Sequence, residues 1–297
     1  MQMLFVMNPC AGMRKANKVL TEILGLFCDA GYTVQVHITK SRGEAVDVVA
    51  EKASQMDLIV CCGGDGTFNE AVSGVMKSGV DVPLGYIPAG STNDFAESLG
   101  LKTNNPLTAA KDIVAGTPQR YDVGLFGSRH FTYVASFGAF TKASYATPQN
   151  IKNALGHTAY LLEGIQELSQ LKPLPVELEL DGEVISGEFL FGAISNSTRM
   201  GGVLNLDPKQ VDMADGLFEI LLVRAPKDLA EVAECIQAVQ KQKYNCNMIT
   251  FRSADKVTVR ANKRMAWTLD GEREPGHAEV EVKNLHHAIR LIKRENP

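Results

Sequence analysis

Short apolar runs alternate with segments of helical period over residues 1–125, and this restricts the fold more than any other feature of the chain. Met3–Met7 reads as a strand, and residues 14–30 as a helix, with Val19, Leu20, Ile23, Leu24 and Phe27 at helical spacing before Gly31. Thr33–Thr39 alternates as a strand does, and 43–55 reads as a helix. Leu58–Cys62 is a continuous apolar strand, followed by a glycine turn and a helix over about 67–78. Leu84–Ile87 is a strand, Ser91–Leu99 a short helix, 106–115 a helix and Arg120–Leu125 a strand. Strands separated by helices predict an α/β domain with a parallel sheet covered on both faces.

The texture changes after residue 125. Strand patterns dominate at 131–137, 175–181, 184–195, 216–223, 248–252, 255–260 and 278–283, interrupted by helices near 157–170 and 227–241. Asp181-Gly182 between two of these runs predicts a tight hairpin. The pattern is that of an antiparallel β-sandwich. The expected organisation is an α/β domain over 1–125 and a β-sandwich over 126–283. The tail 284–297 is expected to carry a last strand, His287–Lys293, that returns to the first domain.

Composition excludes several classes. A net charge of −4 gives no basic field for a nucleic-acid partner. Cys10, Cys28, Cys61, Cys62, Cys235 and Cys246 form no C-x-x-C pair, so neither a zinc site nor a disulfide framework is expected. The apolar start Met3–Met7 ends at Asn8-Pro9, too short for a signal sequence, and no run is long enough to span a bilayer. A cytoplasmic chain is expected, with any membrane contact peripheral.

Three loops carry the chemistry. In the first domain Leu58–Cys62 runs into Gly63-Gly64-Asp65-Gly66-Thr67, then Phe68-Asn69-Glu70. Glycines there let a backbone approach a phosphate at a helix N-terminus. The loop lacks the lysine of a Walker A sequence and is not G-x-G-x-x-G. Asp65 suits a metal–phosphate complex or a helix cap. Pro88-Ala89-Gly90-Ser91-Thr92-Asn93-Asp94-Phe95-Ala96 also joins a strand to a helix, as does Asn8-Pro9-Cys10-Ala11-Gly12. All three follow strands of one sheet, so they should gather at its carboxyl edge, where open α/β folds bind ligands.

In order and spacing these loops resemble the diacylglycerol kinase catalytic family, which includes bacterial soluble lipid kinases, sphingosine kinases and ceramide kinases. NAD kinases and phosphofructokinases share only the Gly-Gly-Asp-Gly core; Asn93-Asp94-Phe95-Ala96 is similar to the lipid kinases alone. Further matches are Tyr121-Asp122-Val123-Gly124, Asn196 with Gly201-Gly202, Asp215-Gly216-Leu217-Phe218 and Leu269-Asp270-Gly271-Glu272. The resemblance implies a Rossmann-like, NAD kinase/phosphofructokinase-like first domain and a β-sandwich second domain. The implied reaction is transfer of the ATP γ-phosphate to a lipid hydroxyl, with Mg²⁺.

The same resemblance assigns roles. Glu272 is the general base, although Asp270-Gly271 is also ordinary turn chemistry that would leave Glu272 an exposed carboxylate. Asp65, Asp94 and Asp122 hold the catalytic Mg²⁺, with capping and loop hydrogen bonding as the alternative for the latter two. Asn8, Thr39, Gly63, Gly64, Asp65, Gly66, Thr67, Glu70 and Ser91 contact the nucleotide. Asp212, Asp215 and Leu217 hold a second, structural Mg²⁺ or form a strand-entry turn. Departures are Ser91 for the usual Thr, Cys10-Ala11 for a small-Ser pair, and Ser197 where relatives have Gly.

The lipid side is less legible. Phe137–Phe140 and Tyr160-Leu161-Leu162 suit an apolar cleft or a plain core. Residues 237–264 hold seven Lys/Arg against one Asp, which suits an anionic lipid surface or a solvated face. The histidines show no metal-ligand spacing, and His286-His287 reads as a surface pair. Relatives are often dimers, so a homodimer is an expectation by analogy. An NAD kinase of the same superfamily and a non-catalytic nucleotide- or lipid-binding regulator are the competing readings. NADP formation would reveal the first, and an activity indifferent to Glu272 the second.

Overall fold

The computed structural model describes every residue except 13–14, 103–104, 139–171, 201–203, 245 and 295–297. The helix expected over 157–170, the Tyr160–Leu162 cluster, Phe140, Gly201 and Gly202 lie outside the described residues. The chain forms two units. The first comprises Met1–Val123, Met213–Gly216 and Leu285–Pro297; the second comprises Gly124–Asp212 and Leu217–Asn284.

In the first unit, strands β1 (Gln2–Met7), β2 (Thr33–Ile38), β3 (Leu58–Gly63) and β4 (Leu84–Pro88) form a parallel sheet in the order β2-β1-β3-β4. Every residue of β3 and β4 is buried, so these strands read as unbroken apolar runs rather than alternating ones. The helices are α1 (Lys15–Lys18), α2 (Leu20–Asp29), α3 (Glu44–Lys52), α4 (Asp65–Ser78), α5 (Asp94–Ser98) and α6 (Pro106–Ala115). α2 buries Ile23 and Phe27, with the Phe27 ring 6.5 Å from Phe5 of β1. α6 begins where the Asn105 side chain accepts the amides of Leu107 and Thr108, and Pro106 occupies the first turn, where its missing N–H is not needed.

The second unit is antiparallel. Strand β5 (Thr117–Phe126) enters it and turns through Gly127-Ser128 into β6 (Arg129–Phe131), followed by β7 (Val134–Gly138). Then come β8 (Leu174–Leu180), β9 (Glu183–Ser195), β10 (Arg199–Met200), β11 (Leu204–Asn205), β12 (Phe218–Arg224), helix α7 (Leu229–Gln240), β13 (Ile249–Ala254) and β14 (Lys256–Ala261). β15 (Trp267–Leu269), β16 (Glu272–Glu274) and β17 (Glu279–Lys293) complete the chain. The expected hairpin is present: Asp181 and Gly182 take φ of 49° and 79°, and Leu180 opposes Glu183. Strand β9 does two jobs. Its first half pairs β8, and its second half pairs β7 and β12, so one long strand serves three ladders. The core gathers Phe126, Phe131, Phe137, Phe218 and Trp267, with Trp267 edge-on to Phe126 and Phe137 at 4.9 Å each.

The patterns at 278–283 and 287–293 belong to one continuous strand, β17. Its first residues pair β14 antiparallel in the second unit, and Leu291 pairs Leu84 of β4 in parallel in the first. The sequence shows this strand as two because Asn284 and His286 interrupt the apolar alternation of Val280 and Val282, and His287 takes φ of 54°. β15 and β16 were not visible as strands: each is only three residues long, below the length at which alternation registers.

Candidate active site

The three loops of the first unit pack backbone against backbone. A Cβ on Gly12, which has φ of 50°, would stand 2.3 Å from the Ala89 carbonyl oxygen. A Cβ on Gly90 would stand 2.6 Å from the Gly64 Cα, far inside ordinary carbon–carbon contact of about 3.5–4.0 Å. Glycine at 12, 64 and 90 is therefore what lets the loops touch. Asn8 continues the contact: its amide donates to the Cys62 carbonyl at 3.0 Å, and its Nδ2 donates to the Thr67 hydroxyl at 3.2 Å. Thr39 lies beside the same loop, its amide and hydroxyl both donating to the Met7 carbonyl at 2.9 and 3.3 Å.

Helix α4 opens at Gly64 in extended conformation, and no side chain caps it. Its fourteen residues direct their first amides and the positive end of the helix dipole into the loop cluster. Asp65 caps its neighbour instead: Oδ2 accepts the Asp94 amide at 3.1 Å, and Oδ1 accepts the Phe95 amide at 3.3 Å, both at the start of α5. Asn93 sets that start. It adopts φ of 55°, and its side chain accepts the Gly90 amide at 2.9 Å while donating to the Gly90 carbonyl at 3.1 Å. Asp94 is buried and Ser91 is exposed. Beneath them Phe68 of α4 stacks on Tyr86 of β4 at 4.3 Å and on Phe95 of α5 at 4.8 Å, so loop and helix cannot shift independently.

Glu70 faces another helix. Its carboxylate accepts the amides of Gly43 at 2.8 Å and Ala45 at 3.3 Å, which caps α3. Nothing in the sequence ties Glu70 to residue 43, because the contact spans twenty-seven positions.

Asp122, also in the first unit, is fully buried. Its Oδ2 accepts the Gly216 amide at 2.7 Å, its Oδ1 accepts the His287 amide at 2.7 Å, and the His286 Nδ1 lies 3.2 Å from Oδ1. Its own amide donates to the Met213 carbonyl at 2.9 Å. Three distant stretches of sequence thus meet on one carboxylate. The rings of His286 and His287 stack at 3.7 Å, and the His287 Nε2 is 3.1 Å from the Ala214 carbonyl. Among the described residues, Asp122, His286 and His287 bring their potential ligand atoms within 4.8 Å of one another. Both histidines are exposed, as the sequence suggested, and both also contact Asp122. Asp215 and Leu217 flank Gly216; both are exposed, as is Asp212. The Leu217 carbonyl accepts from Asn284 at 3.0 Å.

In the second unit Glu272 opens β16, directly after the Asp270-Gly271 turn, whose φ values of 48° and 81° make a tight hairpin of β15 and β16. Asp270 is buried. It accepts the amides of Thr132 at 2.6 Å, Tyr133 at 3.0 Å and Val134 at 3.0 Å, and the Thr132 hydroxyl at 2.8 Å. Burial pushes its carboxyl above the usual range, opposed by those four donors. Glu272 and Glu274 both bind the Arg129 guanidinium, at 2.8 Å each. Sequence reading missed Arg129, since a single arginine in a strand pattern carries no signal.

Of the basic run over 237–264, Arg252 pairs with Glu183, Lys256 with Glu281, and Arg260 with Glu177, Glu179 and Glu279. These cations lie within mixed-charge ladders rather than forming a bare positive field.

Comparison with known proteins agrees with this architecture. The family model of the diacylglycerol kinase catalytic domain matches residues 2–126, and that of the YegS C-terminal NAD kinase beta sandwich-like domain matches 134–293. A diacylglycerol kinase of Bacillus subtilis (strain 168) is 32% identical over 288 residues, covering 97% of this chain and 94% of its own. One from Staphylococcus saprophyticus is 30% identical over 269 residues, covering 90% and 87%. A crystal structure assigned as a diacylglycerol kinase from Bacillus anthracis (strain Sterne) superposes with a TM-score of 0.80 at 26% identity, over 100% of this chain and 97% of that one. The chain belongs to the diacylglycerol kinase family. It is a lipid kinase, an enzyme that moves a phosphoryl group to an alcohol.

Proposed function

We propose that the chain transfers the γ-phosphate of ATP to the free hydroxyl of a diacylglycerol, with Mg²⁺ as the metal. The observation that carries this is the loop cluster: close contacts made by three glycines, Gly12, Gly64 and Gly90, gather the loops around an uncapped helix start whose Asp65 binds the Asp94 amide. Amides of the Gly63–Thr67 loop, with Asn8, Thr39 and Ser91, would bind the triphosphate, and Glu70 would hold α3 in place beside them. Asp65, Asp94 and Asp122 offer the hard carboxylate oxygens that Mg²⁺ takes, and such an ion neutralises charge on the transferring phosphoryl group. Asp212, Asp215 and the Leu217 carbonyl are oxygen donors of the same kind, suited to a second, structural ion.

Glu272 accepts the proton of the lipid hydroxyl as the hydroxyl oxygen forms its bond to the γ-phosphorus. The bond from that phosphorus to the β–γ bridging oxygen breaks, and ADP leaves. The products are a lipid phosphate, ADP and the proton on Glu272, so atoms and charge balance. Lipid substrate is met at a membrane surface; no helix among the described residues is long and apolar enough to cross one. The test is incubation with labelled ATP, Mg²⁺ and a total lipid extract, with the labelled product identified by mass spectrometry. Label in phosphatidate supports the reading; label only in another lipid phosphate replaces diacylglycerol with that substrate.

A further inference from the structure

We propose that Arg129 is a positioning residue for the base Glu272, an assignment that rests on the reaction proposed above. Glu272 and Glu274 are two apart on β16 and so share a face, where two carboxylates would repel each other. Arg129 comes from β6, whose ladder partner is β5 and not β16, so it is the Arg129 side chain, not a strand ladder, that reaches β16. Its Nη2 donates to Glu272 Oε2 at 2.8 Å and its Nη1 to Glu274 Oε2 at 2.8 Å, and Nη1 also lies 3.4 Å from the Arg273 carbonyl.

The guanidinium is a rigid planar fork. With Nη1 fixed by Glu274, the position of Nη2 is fixed, and with it the carboxylate of Glu272. The same stretch of chain secures the other end of the hairpin, since Thr132, Tyr133 and Val134 bind Asp270 at its tip. Residues 129–134 therefore tie the base-bearing hairpin at the turn and at the arm. The ion pair is partly exposed, with 36% of the Arg129 side chain and 27% of the Glu272 side chain accessible. Pairs of that kind add little to global stability. The consequence of the clamp is aim rather than folding, and a base misplaced by about 1 Å costs on the order of 100-fold in rate.

The experiment compares Arg129→Gln, Arg129→Lys, Glu272→Gln and the double variant R129Q/E272Q as full chains, using ATP, Mg²⁺ and dioleoylglycerol in mixed micelles. Arg129→Gln should lower kcat by about 10- to 100-fold while KM for ATP and the melting temperature stay near those of the parent. Arg129→Lys should fall between, because one ammonium cannot bridge both carboxylates. In the E272Q background, removing Arg129 should lower the residual rate no further. An R129Q variant with parental kcat, while E272Q loses on the order of 100-fold, overturns the positioning role alone. A further loss in the double variant also overturns it, as does a kcat loss matched by a large fall in melting temperature. Parental activity in E272Q overturns the base and its positioning together.

Discussion

Replacing Asp65 with Asn separates two demands placed on one side chain. The carboxylate accepts the amides of Asp94 and Phe95, one on each oxygen, at 3.1 and 3.3 Å. Asparagine has one carbonyl oxygen, so it satisfies one of these amides and turns an NH₂ donor toward the other. A hydrogen bond to a charged group contributes about 1.5–3 kcal/mol, and a neutral one about 0.5–1.5 kcal/mol. Both bonds are longer than the 2.7–2.9 Å typical of strong charge-assisted pairs, so the lower figures apply. Two bonds near 1.5 kcal/mol give way to one of about 0.5–1 kcal/mol, a loss of about 2 kcal/mol. For a folding unit of this size that is a fall in melting temperature of roughly 4–8 °C. Differential scanning calorimetry and a kinase assay at saturating ATP read the two effects separately. The expected outcome is a measurable fall in stability together with lost activity. Lost activity with an unchanged melting temperature would refute the argument that Asp65 holds the start of α5.

Gly90→Ala should raise the KM for ATP and destabilise the fold by about 1–3 kcal/mol, because the new methyl forces the loops apart at Gly64; steady-state kinetics and urea unfolding check it. Alkylation followed by mass spectrometry should label the exposed Cys10 and Cys28 readily in the native protein. Cys61 and Cys62 should resist, since burial raises both thiols, Cys62 to about 12; Mg·ATP should slow labelling of Cys10 and leave Cys28 unchanged. Glu231 is held down at about 2, first by hydrogen bonding from Arg224 and then by the Lys227 amide. Its folded value is below its ordinary 4.5, so its contribution to α7 is present above that pH and disappears as pH falls toward 2. Protection of α7 amides, taken relative to their intrinsic exchange rates, should therefore fall over that interval, and Arg224→Met should remove most of the pH dependence.

What the sequence disclosed divides by range of interaction. The strand–loop–helix joints at 8–12, 63–67 and 88–94 are local, since period, glycine and capping residues sit within a few positions of each other, and their convergence follows from a shared parallel sheet. The Asp270-Gly271 turn is local in the same way. The partners of these residues are not. Asp65 binds α5 from twenty-nine positions away, and Asp122 binds His287 from one hundred and sixty-five. Arg129 reaches Glu272 across one hundred and forty-three. No periodicity encodes such pairings. They emerge only inside each folded unit, where side chains far apart in sequence meet.

The central claim is tested most directly by supplying the purified chain with γ-labelled ATP, Mg²⁺, dioleoylglycerol micelles and NAD in one reaction and separating the products. The account predicts label in phosphatidate, none in NADP, and loss of the phosphatidate signal in the Glu272→Gln variant. Label in NADP, or a phosphatidate signal undiminished in that variant, would contradict it.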